Sequence, residues 1–269
     1  MDKFTIRDVA QENIEDLCQI CIPPEKIDHP LFITGIKEKS KWAKKMLQTW
    51  GSFAKLAYRR STIIGLIQYK PVPLERVIYI YCIFVPDKKQ SQKGIATQLL
   101  YNLITDMKKP KFWFGNKPAL ALVTRTFPGE KPDRFSARLF FSRMGFKQVG
   151  EDPDFLFYPL KEGFIYQPVK EKEVEYIPQE EDKGKVLLIH GPSPCPFSYV
   201  FLKKAEQIIK GIAPGISIRW IDSSKEPDEI RKRGNIEGCI VNTKSIKSFV
   251  LDQEDFQKEV TKAIYLKRK

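Results

Sequence analysis

VIYIYCIFVPDKKQSQKGIATQLLYNL, residues 77–103, is the stretch on which the fold turns. It opens with an unbroken apolar run, Val77 to Val85, rich in the β-branched and aromatic residues that suit a buried strand. Pro86 and Asp87 stop that strand, because proline has no N–H to give to a ladder. A polar, basic loop follows, from Lys88 through Gly94. Ile95, Leu99, Leu100 and Leu103 then recur at helical spacing. Strand, glycine-containing turn and helix form one unit. Such a unit points backbone N–H groups at one spot in front of a helix dipole, where a phosphate can bind. Gly94 allows close approach of the main chain, and Lys88, Lys89 and Lys93 add positive charge. An ordinary strand-to-helix turn with solvated lysines would read the same way.

At 269 residues the chain has room for two domains. No apolar run nears the roughly 18 residues of a membrane span, and Met1 to Phe4 lacks the pattern of a signal peptide. A cytoplasmic protein without a membrane partner is expected. The net charge of +13 is uneven: residues 1–167 carry +10 and residues 168–269 carry +3. A basic first part suits an anionic ligand. Nucleic acid is disfavoured, since no helix-turn-helix, zinc-finger or RNP-like pattern occurs. Cys18, Cys21, Cys82, Cys195 and Cys239 are an odd set, as in a reducing compartment. Cys18 and Cys21 have C-x-x-C spacing inside an apolar helical run, which reads as core packing; no metal-ligand pattern is read anywhere.

Outward from the central unit, Phe4 to Val9 reads as a strand and Asn13 to Ile22 as a helix stopped by Pro23 and Pro24. Ile33 to Trp50 reads as an amphipathic helix, basic outside. Ala54 to Tyr58 and Ile63 to Lys70 make a hairpin, and Ala119 to Val123 a buried strand. Residues 135–150, FSARLFFSRMGFKQVG, read as a helix ended by a left-handed Gly145, with Phe155 to Leu160 as a closing strand.

Ser91-Gln92-Lys93-Gly94-Ile95-Ala96 resembles the Q/R-x-x-G-x-G/A loop of the GNAT superfamily of acetyl-CoA-dependent N-acetyltransferases. Ser91 stands where Gln or Arg is usual, with Gln90 one place early. Gly65-Leu66-Ile67 resembles the phrase before the family's signature strand. Ala137, Phe141, Gly145 and Phe146 are similar to its late A-x-x-x-Y-x-x-x-G-F segment. The resemblance implies a mixed α/β (α+β) fold with a mixed central sheet over residues 1–167. It further implies acetyl-CoA as co-substrate, held by the backbone of Ile83, Phe84 and Val85 and by Gln92, Lys93, Gly94, Ile95, Ala96 and Thr97. An amine of a small molecule or an exposed peptide amine would attack the thioester directly. Phe141 replaces the family's proton-donating tyrosine, and Glu75 precedes the signature strand, which itself has no carboxylate. Tyr79 and Tyr81 are the substitute catalytic candidates, with Ser142 behind them; each also fits plain strand or helix packing. The rival reading is a catalytically weakened acyl-CoA-binding or thiol-dependent sensor module.

Residues 168–184, charged and proline-punctuated, read as a linker. The pattern then restarts: strand Lys185 to His190, helix Tyr199 to Lys210, strand Ile216 to Asp222, helix Lys225 to Arg233, strand Cys239 to Asn242, strand Ile246 to Val250 and helix Asp255 to Leu266. That order resembles a thioredoxin-like domain, and Cys195-Pro196-Phe197-Ser198 is similar to the C-G-F-S of monothiol glutaredoxins. The pairing of such a domain, over residues 185–269, with a GNAT domain resembles acetyltransferases with a YoaP-like C-terminal domain. A helix N-terminus favours a thiolate at Cys195. Cys195 and Cys239 are either neighbours forming a thiol site, or a helix-start thiol and a core cysteine. The acceptor and the oligomeric state stay open, a homodimer included.

Overall fold

The computed structural model describes residues 4–86, 94–126, 136–169 and 175–265. The chain forms two compact units, Met1–Pro23 with Ala43–Lys170, and Pro24–Trp42 with Glu171–Lys269.

The first unit is built on a seven-stranded mixed sheet. Its strands are β1 (Thr5–Asp8), β2 (Ala54–Arg59), β3 (Thr62–Val72), β4 (Val77–Phe84), β5 (Ala121–Arg125), β6 (Lys147–Val149) and β7 (Asp152–Pro159), in the order β1-β2-β3-β4-β5-β7-β6. Neighbours are antiparallel except β4 and β5, which run parallel with Val77 opposite Ala121 and Ile80 opposite Thr124. A parallel pair needs a crossover, and α3 (Ile95–Met107) supplies it. Side chains alternate across β4, as the two-residue period requires. Ile78 and Ile80 join α3 and Phe141 in one core, while Val77 and Tyr79 join Ala121, Val123 and Phe157 on the opposite face. Burial on both faces explains why β4 reads as an unbroken apolar run. β5 starts two residues later than expected, because the Ala119 and Leu120 amides are drawn to the carbonyls of Met107 and Arg76.

The short helices α1 (Ile14–Gln19) and α4 (Ala137–Arg143) complete this unit. α4 ends as the sequence predicts. Gly145 takes φ +87°, its amide donates to the Ser142 carbonyl, and the Phe146 amide donates to the Phe141 carbonyl. Phe146 packs on Phe141 at 4.9 Å between ring centroids, the apolar contact that accompanies this stop.

The second unit carries β8 (Lys185–His190), α5 (Ser198–Ile212), β9 (Ser217–Asp222), α6 (Pro227–Arg231), β10 (Gly238–Val241), β11 (Lys244–Ser245) and α7 (Gln253–Tyr265). The sheet order is β11-β10-β8-β9, with β8 and β9 parallel and the other pairs antiparallel. α5 and α7 cover one face through Val186 and Leu188, while Ile230 of α6 packs with Leu187 and Ile189 on the other. The last strand differs from the sequence reading of 246–250. Asn242 and Thr243 both take positive φ (44° and 64°) between the paired Val241 and Lys244, so the chain turns back early in a tight hairpin. The Glu259 carboxylate accepts the amides of Lys247 and Ser248, which a longer strand would have paired.

This unit also holds residues 24–42, including the first part of α2 (Pro30–Trp50). Phe32 meets Phe197 edge-on at 5.4 Å. A Cβ on Gly35 would lie 1.9 Å from the Pro196 carbonyl oxygen, so only glycine permits this approach. The basic outer face expected of α2 exists at Lys37, Lys41, Lys44 and Lys45, but Glu38 and Lys39 are buried. Part of the stretch read as a linker is also integral: Ile177 N–H donates to the Arg233 carbonyl, and Tyr176 packs beside Ile236 in the α6 layer.

Candidate coenzyme site and a thiol-lined cavity

β4 outruns its parallel partner. The β4–β5 register ends at Ile80 and Thr124, where the Thr124 hydroxyl donates to the Ile80 carbonyl at 3.1 Å. β4 nevertheless continues to Phe84, paired with β3 through Cys82–Gln68, Ile83–Ile67 and Phe84–Leu66. An irregularity opposite Gln68 and Tyr69 places Tyr81 as the extra residue and turns the strand. The divergence opens the sheet beside Ile83, Phe84 and Val85. The side chains of Ile83 and Val85 pack on the core, leaving the main chain as the part that could meet a ligand.

Gly94 precedes α3 in the left-handed conformation (φ 78°, ψ 5°), with no side-chain cap at that helix start. Ile95 is buried, and Ala96 and Thr97 are half-buried in the first turn. Their amides belong to the helix start that lacks intrahelical acceptors. Gly65 of β3 lets α3 close on the sheet: a Cβ there would lie 2.8 Å from Ile95 Cγ2. Gln92 and Lys93, with the rest of the loop from residue 87, lie outside the described residues.

Tyr79 and Tyr81 stand side by side on the other face of β4, ring centroids 5.4 Å apart, with Lys70 Nζ 5.7 and 5.6 Å from the two rings. Burial raises the Tyr79 phenol above its ordinary value, against the opposing charge of Arg125. It is therefore protonated at neutral pH, the form needed in a proton donor. Lys70 and Arg125 are neighbours that the sequence reading missed; both lie on strands whose pairing brings them in from elsewhere in the chain. Glu75 is committed elsewhere, one oxygen accepting from Tyr166 Oη at 2.6 Å and the other from the Val169 amide at 2.7 Å. Phe141 is a core residue, between Phe140 and Phe146.

In the second unit, Cys195 is exposed in the turn before α5. Its amide donates to Ser193 Oγ at 3.2 Å, and its carbonyl accepts the Ser198 amide. Cys239 is buried on β10, and burial, with the charge of Glu259 adding to it, pushes its thiol up to about 12. Both cysteines line one cavity of about 350 Å³, together with Glu38, His190, Tyr199 and Glu237. None of the five cysteines is in a disulfide. No helix among the described residues is long and apolar enough to cross a membrane.

Residues 21–127 match the family model described as the acetyltransferase (GNAT) family. Over that stretch the chain is similar to GNAT acetyltransferases. Among solved structures it is similar to Ard1 from Thermoplasma volcanium, at 13% identity and TM-score 0.40, covering 59% of this chain and 99% of that one. It is also similar to the PaiA N-acetyltransferase from Thermoplasma acidophilum in complex with coenzyme A, at 19% identity and TM-score 0.42, over 58% and 97% of the two chains. A GNAT family acetyltransferase from Brucella melitensis in complex with acetyl-CoA is 13% identical, with TM-score 0.39, over 62% and 93%. No curated protein matches the sequence.

Proposed function

We propose that the chain is an acetyl-CoA-dependent N-acetyltransferase with a thioredoxin-like, YoaP-like second domain. The observation that carries this reading is the GNAT match over residues 21–127, a stretch that takes in β4, Gly94 and the whole of α3. The backbone of Ile83, Phe84 and Val85 holds the pantetheine arm of acetyl-CoA. The loop of Gln92 and Lys93, with Gly94, Ile95, Ala96 and Thr97, holds the pyrophosphate on amides at the α3 start. A neutral amine, from a small molecule or an exposed peptide, attacks the thioester carbonyl. The C–N bond forms, the C–S bond breaks, the nitrogen loses a proton and the leaving thiolate gains one. Tyr79 or Tyr81 supplies that last proton. The domains follow residues 1–167 and 185–269, joined by 168–184, except that residues 24–42 and the stretch around Tyr176 and Ile177 belong with the second. The strand order β11-β10-β8-β9 supports the thioredoxin-like reading, and five cysteines without a disulfide support a cytoplasmic one.

Phe141 in the core and both Glu75 oxygens in use favour a second reading, an acyl-CoA-binding module with little turnover. Calorimetric titration of acetyl-CoA into wild type and Gly94→Glu tests the site. Binding by wild type that weakens at least about tenfold in Gly94→Glu is expected, since a carboxylate there would oppose an anion at a helix start. A wild type that binds no acetyl-CoA would overturn both readings. Binding with no thiol released across a panel of amines would select the binding module.

A further inference from the structure

Three side chains far apart in sequence meet inside the second unit. Glu38 of α2, His190 at the end of β8 and Asp222 at the end of β9 offer donor atoms that all lie within 4.8 Å of one another. His190 and Asp222 are register partners on parallel strands, so their side chains leave the sheet on the same side. Glu38 reaches them because α2 packs against the turn after β8 at Gly35, one helical turn before it. A second tight contact reinforces the arrangement: a Cβ on Gly191, next to His190, would lie 1.9 Å from the hydroxyl of Ser223, next to Asp222. The Gly35 contact, against backbone, depends on glycine and lies one helical turn from Glu38, while Gly191 adjoins His190.

The hydrogen bonding of the three is lopsided. Glu38 is 94% buried, at 6% exposure; Lys41 Nζ donates to its Oε1 at 2.7 Å, and its Oε2 is buried with no partner among the described residues. The Nδ1 atom of His190 is likewise buried without a partner, while Tyr199 and Trp220 hold the ring edge-on. Asp222 Oδ1 accepts from the Ser224 amide and hydroxyl at 3.0 and 2.6 Å, and Oδ2 faces the exposed Lys225 at 3.7 Å. Two buried polar atoms in the cluster, Glu38 Oε2 and His190 Nδ1, lack partners, which is costly, and a cation bound beside the Lys41 ammonium would satisfy both. One Glu38 oxygen is held by Lys41 and one Asp222 oxygen by Ser224, so each carboxylate keeps a second oxygen that an ion could take, Asp222 Oδ2 in exchange for its long contact with Lys225.

We propose that Glu38, His190 and Asp222 form a site for a divalent first-row transition ion, zinc being the reference case. Two carboxylates and an imidazole are a borderline donor set that suits zinc, manganese or iron(II) better than calcium. Bonds of about 2.1 Å at tetrahedral angles need donors roughly 3.4 Å apart, so side-chain shifts of about 1 Å would close the cluster on an ion. Three protein ligands leave a coordination position open. Glu38 and His190 also line the cavity of Cys195, so that position would be available to a small molecule entering it. The site lies wholly within the second unit and does not depend on the acetyl-CoA reading.

The test uses the full-length protein, stripped with chelator and titrated with zinc by calorimetry, and with cobalt(II) by visible absorption. One ion per chain is expected. Glu38→Gln and Asp222→Asn, which keep shape, should each weaken zinc binding by at least about tenfold, and Cys195→Ser by less than about threefold. Zinc should raise the melting temperature of wild type but not of Glu38→Gln, whose own melting without metal shows whether it folds. A wild type that takes up no zinc would overturn the proposal. So would carboxamide variants that bind like wild type, or loss of binding confined to Cys195→Ser.

Discussion

Arg233→Met should destabilise the second unit more than any surface change in it. The guanidinium is fully buried, and all its nitrogens are engaged. Nε and Nη2 donate to the two oxygens of Asp182 at 2.8 and 2.6 Å, a paired geometry. Nη1 donates to the Glu229 carbonyl and carboxylate, and Nη2 also to Glu181. Asp182 is 1% exposed and otherwise accepts from the Tyr176 hydroxyl. Removing the cation leaves a buried carboxylate with one phenol, a loss of about 3–5 kcal/mol. The half-exposed Glu181 adds little to that figure. For a unit of this size each kcal/mol lowers Tm by about 4–8 °C, so a fall of roughly 12–40 °C is expected by calorimetry. The double variant Asp182→Leu/Arg233→Met should recover most of the loss, because it leaves no unpaired charge. Acid supplies a second check. Burial tends to raise the Asp182 carboxyl, but hydrogen bonds from Arg233 and Tyr176 outweigh it and hold it below its ordinary value. The Lys232 hydrogen bond leads in holding Glu229 at about 2, against its burial. Groups depressed in the folded state contribute stability in full above the ordinary carboxylate pKa of about 4 and lose it as pH falls through the folded values. The denaturant midpoint of wild type should therefore drop below about pH 4 more steeply than that of Arg233→Met. A loss under about 1 kcal/mol, or a double variant no better than Arg233→Met, would refute the reasoning.

Gly145→Ala forces a side chain into φ +87° at the end of α4 and should cost about 1–2 kcal/mol in chemical denaturation; an unchanged midpoint would show that the turn relaxes. Alkylation with iodoacetamide near neutral pH, followed by peptide mass spectrometry, should label exposed Cys195 well before Cys239. The Cys239 thiol, held at about 12 by burial, offers almost no thiolate. Equal labelling rates would mean that β10 opens readily. It would also restore Cys239 as a reactive partner for Cys195, a pair then testable by trapping the disulfide under mild oxidant.

What could be read from the sequence was what neighbouring residues settle among themselves. The β2–β3 hairpin follows from two apolar runs around the polar connection Arg59 to Thr62, which the structure tightens to Arg60 and Ser61, with Arg60 at φ 56°. The Gly145 stop follows from a glycine before an aromatic residue, and β4 from its unbroken apolar run. The failures occur where a distant partner decides. Residues 246–250 look like a strand, but the Glu259 carboxylate takes two of their amides and their apolar side chains join the α5–α7 core. Glu38 sits among lysines in what reads as a solvated face, and nothing near it in sequence tells of His190 or Asp222. One sign of that placement was present all the same. Glycine inside a helix costs about 0.5–1 kcal/mol relative to alanine. Gly35 carries that cost within α2, and the contact with Pro196 gives the reason, since any larger residue would hold the helix away from the turn. A mid-helix glycine thus marks a close approach without naming its partner. Glu38 follows it by three residues, on the same helix face, and so is the side chain that the approach delivers.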